Sequence, residues 1–139
     1  MTKRELLKRL QESISEKEKE ALYKLDSGLV IGKQNREALK GMLEMSDIED
    51  SFIDDEKLKS LTEELQNYLD IYMDKREGHK WVILASIYNS YVLEVPMHPI
   101  NVVHAKMVME DGKRVYYCPC REDQEGSLCK YCVCRKLDA

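Results

Sequence analysis

The sequence predicts a mainly α protein with a small β element (α+β), a helical bundle followed by a C-terminal β-hairpin and a cysteine-rich metal knuckle. Three observations carry that expectation. Apolar residues recur at three- and four-residue spacing from Leu6 to Val92, the period of a helix face. Beyond Pro96 the pattern becomes β-rich, and the run is split by Asp111-Gly112, a tight-turn pair. All five cysteines then fall between Cys118 and Cys134. At 139 residues the chain suits one domain with one modest core, residues 1–95 forming the helical part and 96–139 the hairpin and tail.

Thr2 with Glu5, and Ser15 with Glu18, have capping-box spacing, so two helix starts are signalled early. Leu6, Leu10 and Ile14 share one face, and Ala21, Leu22 and Leu25 continue an apolar stripe towards Gly28, a plausible helix stop. A further helix is expected over 33–45, carrying Ala38, Leu39, Met42 and Leu43. The acidic stretch EMSDIEDSFIDDE reads as a solvated loop leading into a helix N-terminus, where the dipole favours carboxylates. It lacks the ligand ladder and central glycine of a calcium loop.

The next helix is expected over 55–74, with Leu58, Leu61, Leu65, Tyr68, Leu69 and Tyr72 on its buried face. HKWVILASIYNSYVLEV, over 79–94, is apolar on nearly every side, as befits a central helix covered by the others. Pro96 and Pro99 end it, since proline lacks the amide a helix requires and restrains the residue before it. NVVHAKMVM and VYYC, on either side of Asp111-Gly112, supply the two hairpin strands. His79 and His104 read as surface or strand residues with no role.

The cysteines are spaced Cys118-x-Cys120-x8-Cys129-x2-Cys132-x-Cys134. A C-x-x-C turn brings two sulfurs near enough to share one ion, and a second pair across a short polar loop closes a tetrahedral thiolate shell. The loop REDQEGSL contains Gly126 and can fold back in this way. Arg121, Lys130, Arg135 and Lys136 lie close by in sequence and would offset the charge of several thiolates on one dication. Zinc is the expected metal, and an iron–sulfur cluster uses the same ligand type. Disulfides would pair four cysteines and leave one over.

Net charge is −4, which argues against a protein whose main task is gripping a nucleic-acid backbone. Lys113, Arg114, Arg121, Lys130, Arg135 and Lys136, with Tyr116 or Tyr117 to stack on a base, are the residues an RNA-binding knuckle would use. Asp111, Glu122, Asp123, Glu125 and Asp138 nearly cancel those charges, so nucleic acid is an unlikely partner and a protein partner fits better. No apolar run approaches the roughly 18–20 residues needed to cross a bilayer, so no membrane role is expected. MTKRELLKRLQESISEKEKE carries charges throughout and is not a secretory signal, so a cytoplasmic location is expected. In a reducing compartment, clustered cysteines serve more often as metal ligands or redox thiols than as disulfides.

From PMHP through YYCP to LCKYC, together with the helix WVILASIYNSYVLEV, the chain resembles an uncharacterised family of small archaeal proteins, the domain of unknown function DUF2115 (UPF0305-like). The resemblance implies a metal-binding set of His98, Cys118, Cys129 and Cys132, and it brings no known activity. Cys120 and Cys134 then stand outside the pattern, as substitute ligands, spare thiols or a redox pair. If His98 merely caps the helix end, Cys120 becomes the fourth ligand. A weaker likeness runs to the catalytic subunit of ferredoxin–thioredoxin reductase, through YCPCR and CKYCVC, but that family's additional Cys-Pro-Cys element has no counterpart here. P-loop, G-x-G-x-x-G, G-x-S-x-G and H-E-x-x-H motifs do not occur. Glu94, near His98 in sequence, is the one carboxylate to nominate as a base for metal-assisted hydrolysis, and a solvated helix end explains it equally well.

Overall fold

The computed structural model describes residues 1–24, 28–97, 106–119, 128–133 and 135–136. Five α-helices come first: α1 (Lys3–Glu12), α2 (Glu16–Leu22), α3 (Lys33–Glu44), α4 (Asp55–Tyr72) and α5 (His79–Ile87). The expected stretch from Thr2 to Leu22 is thus two helices, each started by its own cap. The Thr2 hydroxyl accepts from the Glu5 amide at 3.2 Å. At Ser15 the reciprocal box is complete, Glu18 N–H donating to the serine hydroxyl at 3.1 Å and Ser15 N–H to the Glu18 carboxylate at 3.0 Å. Gly28, six residues beyond the end of α2, has a left-handed φ of 75°.

Leu6, Leu7 and Leu10 from α1, Leu22 from α2, Leu39 and Met42 from α3, and Leu58, Leu61, Leu65 and Leu69 from α4 bury one face of each helix. α3 and α4 pack on α5, α1 packs on the helical turn that follows it and α2 on α3, and Trp81, Leu84, Ala85 and Ile87 of α5 are all buried in the shared core. Fully burying one such side chain stabilises the fold by about 1.5–3 kcal/mol, so this shared core is the main source of stability. Two expected core residues lie outside it. Tyr68 is 48% exposed and Tyr72, the last residue of α4, is 71% exposed, the two rings meeting at 4.7 Å on the surface. The buried stripe of α4 runs through leucines alone, and the tyrosine hydroxyls stay in water.

The junction before α5 leaves no room for a side chain. A Cβ at Gly78 would sit 2.5 Å from the Met73 methyl and 2.9 Å from the Val30 carbonyl oxygen. His79 follows it and, contrary to the expectation of a surface residue, is buried. Its Nδ1 lies 3.0 Å from the Gln66 amide nitrogen and its Nε2 2.7 Å from the Met73 carbonyl oxygen. Held between the Gln66 amide on one side and the Met73 carbonyl on the other, this histidine is a core strut.

The last helix departs from its expected course. α-Helix gives way after Ile87 to a π-helical turn over Tyr88–Val92, with Leu93 N–H donating to the Tyr88 carbonyl at 3.0 Å. Two residues beyond the turn lies Glu94, whose φ of 55° is left-handed and strained for a residue with a Cβ. That reversal sends the chain towards Pro96 and the C-terminal region.

There β1 (Lys106–Glu110) and β2 (Lys113–Cys118) form the expected antiparallel hairpin, with Val108 opposite Val115. Asp111 and Gly112 both have positive φ, 50° and 77°, the geometry of the two-residue turn that Asp-Gly favours. A short β3 (Arg135–Lys136), which the sequence did not signal, lies parallel to the end of β2, with Tyr117 beside Arg135. The expected strand residues 101–105 lie outside the described residues.

Candidate functional site

Alternation along β2 places Tyr116 and Cys118 on one face, and both are buried. They form a second small cluster, separate from the helical core, against Val95, Cys132 and Val133. The hairpin thereby carries Cys118 to the C-x-x-C segment, and the end of the π turn lines the same place through Val95.

The C-x-x-C segment is a single 3₁₀ turn, Leu128–Tyr131. Cys132 N–H donates to the Cys129 carbonyl at 3.0 Å, which folds the two cysteines onto one turn. The Met97 N–H is directed at the Cys132 sulfur, 3.5 Å away. Met97 immediately precedes His98, so this bond joins the PMHP segment to the cysteine segment across 35 positions of sequence.

Tyr131, the residue between the paired cysteines, turns the other way. It is buried in the helical core and hydrogen-bonds to the Glu64 carboxylate on α4. Burial first, then the neighbouring Glu64 carboxylate, pushes its phenol up to about 12. Its side chain anchors the cysteine segment to the bundle, a role that sequence reading missed. A large residue between two polar-segment cysteines was the available signal.

Of the six residues nominated from sequence, Cys118, Cys129 and Cys132 are described, whereas His98, Cys120 and Cys134 lie outside the described residues. Cys118 and Cys132 share the buried cluster. Among the described residues, no three His, Cys, Asp or Glu side chains are arranged to hold a metal ion, so the three described cysteines do not by themselves form a shell. The other nominations fare differently. Tyr116 is buried and offers no face to a base, and the Tyr117 hydroxyl donates to Glu110 at 2.9 Å. Glu94 is held by Lys3, with Nζ 3.3 Å from its carboxylate. No helix among the described residues is long and apolar enough to cross a membrane.

The family model described as an uncharacterized protein conserved in archaea (DUF2115) matches residues 2–137, and the chain belongs to that family. It is also similar to the UPF0305 protein MJ0646 of Methanocaldococcus jannaschii, 28% identical over 102 residues. That alignment covers 68% of this chain and 60% of the relative, so the chain spans less than two thirds of that protein's length. No solved structure matches.

Proposed function

We propose that this archaeal-family protein binds a metal, zinc, in its C-terminal cysteine cluster, through Cys118, Cys129, Cys132 and His98. Cys120 is the substitute fourth ligand, and Cys134 lies outside the shell. The observation that carries the reading is the Met97 amide aimed at the Cys132 sulfur. A backbone donor on a sulfur is the kind of outer contact that orients and tempers a ligating thiolate, whereas a neutral thiol is a poor acceptor. The donor set fits the ion: three thiolates and one imidazole are a common closed zinc shell. The burial of Cys118 beside Cys132 and the turn linking Cys129 to Cys132 support the reading for those three cysteines. Bound zinc would supply a closed, four-coordinate cross-link that fixes the tail on the bundle.

On this reading the site is structural and the knuckle presents a surface to a protein partner. The test is metal analysis of the purified chain together with its visible spectrum. One zinc per chain and a colourless protein are expected. Cys118→Ser, Cys129→Ser and Cys132→Ser should each lose most of the metal, and Cys134→Ser should keep it. His98→Ala and Cys120→Ser distinguish the two candidates for the fourth position. A brown protein containing iron would replace zinc with an iron–sulfur centre, and a metal-free chain with intact thiols would end the proposal.

A further inference from the structure

A cleft of about 690 Å³ opens between the start of α1, the Glu49–Ser51 loop, the end of the π turn and the hairpin. Its size falls in the range of small-molecule sites, roughly 300–1,000 Å³. Lys3, Glu49, Asp50, Glu94, Lys113, Arg114 and Arg135 supply its charge, and Val95, Val115 and Tyr116 supply part of an apolar wall.

The charges are not equally committed. The Asp50 carboxylate accepts from the Arg4 and Ser51 amides at 3.2 and 3.1 Å, so it is spent on shaping its own loop. Glu94 is occupied by Lys3, whose side chain is only 12% exposed. Arg135 makes one long contact with Glu110, at 3.5 Å. Lys113 and Arg114 have no hydrogen-bond or ion-pair partner among the described residues, and on the acidic side the same holds of Glu49. The lining carries four cations, Lys3, Lys113, Arg114 and Arg135, against three carboxylates, Glu49, Asp50 and Glu94, so its balance is positive by one charge in a protein whose net charge is −4. A second, independent observation marks the same place. Glu94, in the cleft wall, holds a left-handed backbone two residues past a π turn, and both features concentrate at functional sites.

We propose that this cleft binds a small organic phosphate. Arg114, on the Tyr116 face of β2, offers a planar fork suited to two phosphate oxygens, and Lys113, on the opposite face, adds a compact charge from across the strand. Val95, Val133 and the edge of Tyr116 would receive the organic body. The cleft adjoins the cysteine cluster, sharing Val95, Tyr116 and Val133 with it, whereas none of its charged residues is a nominated metal ligand.

The test is titration of the full chain, as purified, with adenosine monophosphate and separately with inorganic phosphate at matched ionic strength, followed by amide NMR shifts. The nucleotide should give saturable shifts at Lys113, Arg114 and Glu94 and bind at least tenfold more tightly than phosphate. Arg114→Ala and Lys113→Ala, both on the surface strand, should each weaken nucleotide binding about tenfold while leaving the melting temperature and metal content unchanged. Lys106→Ala on the neighbouring strand, outside the cleft lining, should bind as the natural chain does. Absence of saturable binding at millimolar nucleotide, equal affinity for the two probes, or unaltered affinity in both cleft variants would overturn the proposal.

Discussion

The helical body and the C-terminal region hold themselves together by different means. In the body, each helix contributes a stripe of leucines to one core around Trp81, Leu84 and Ile87, and capping residues such as Ser15 and Asp54 fix where helices begin. In the described C-terminal region the hairpin exposes Met107 and Met109, and the buried residues are Tyr116 and Cys118 on β2 and Tyr131 in the cysteine segment. That region relies instead on a few directed attachments: Tyr131 into the bundle, Met97 onto Cys132, and β3 alongside β2. An area-driven core tolerates the loss of any one polar contact. A region that buries little of its apolar surface depends on each contact it has, which is why a metal cross-link would matter there.

The contrast is most easily broken in the body. Leu61, completely buried on α4, should cost about 2–5 kcal/mol when cut to alanine, measured by urea denaturation. A loss under about 1 kcal/mol would mean that the leucine stripes are not the dominant support.

Tyr131→Phe sharpens the comparison from the other side. It removes the hydrogen bond to Glu64 and should cost about 1 kcal/mol. The phenol's folded value, about 12, lies above its ordinary value of 10.0, so its contribution is complete below pH 10 and disappears as pH climbs towards 12. Stability measured across that window should fall less steeply in the phenylalanine variant. Burial also raises Tyr88 and Tyr91, so a slope will remain. An unchanged alkaline slope would detach Tyr131 from the anchoring role.

The smallest effect is expected at the junction of the two regions. Glycine adopts the Glu94 backbone without the left-handed penalty of about 1–2 kcal/mol, but loses the surface pair with Lys3, worth about 0.2–1 kcal/mol. Glu94→Gly should therefore raise stability by up to about 1 kcal/mol, read as a melting-temperature increase of a few degrees. Glu94→Ala, which keeps the backbone strain and drops the pair, should not raise it.

The body was the more legible part in sequence because its signals are periodic. Ser15 with Glu18, the leucines of α4 and the all-round apolarity of α5 each state their structure locally. Asp111-Gly112 did the same for the hairpin. What stayed hidden depends on tertiary neighbours. Tyr68 and Tyr72 fit a helical period, and only the coverage of α4 decides that they face water. His79 looks like any polar residue at a helix start until Gln66 and Met73 close around it. The π turn has no compositional mark. For the site, spacing identified the cysteine segment, and the Met97 amide and Tyr131 anchor follow from packing that spacing does not encode.

The π-helical turn over Tyr88–Val92 also sets the azimuth at which the polypeptide leaves the bundle. Ordinary helix advances about 100° per residue, so shortening this turn by a single position would swing everything after Val92 by roughly that angle. Substitutions along the segment leave that heading alone, whereas one deleted codon would re-aim Val95 and Met97 away from Cys132. The spatial meeting of two distant stretches of chain is thus governed by the length of this segment as much as by its chemistry.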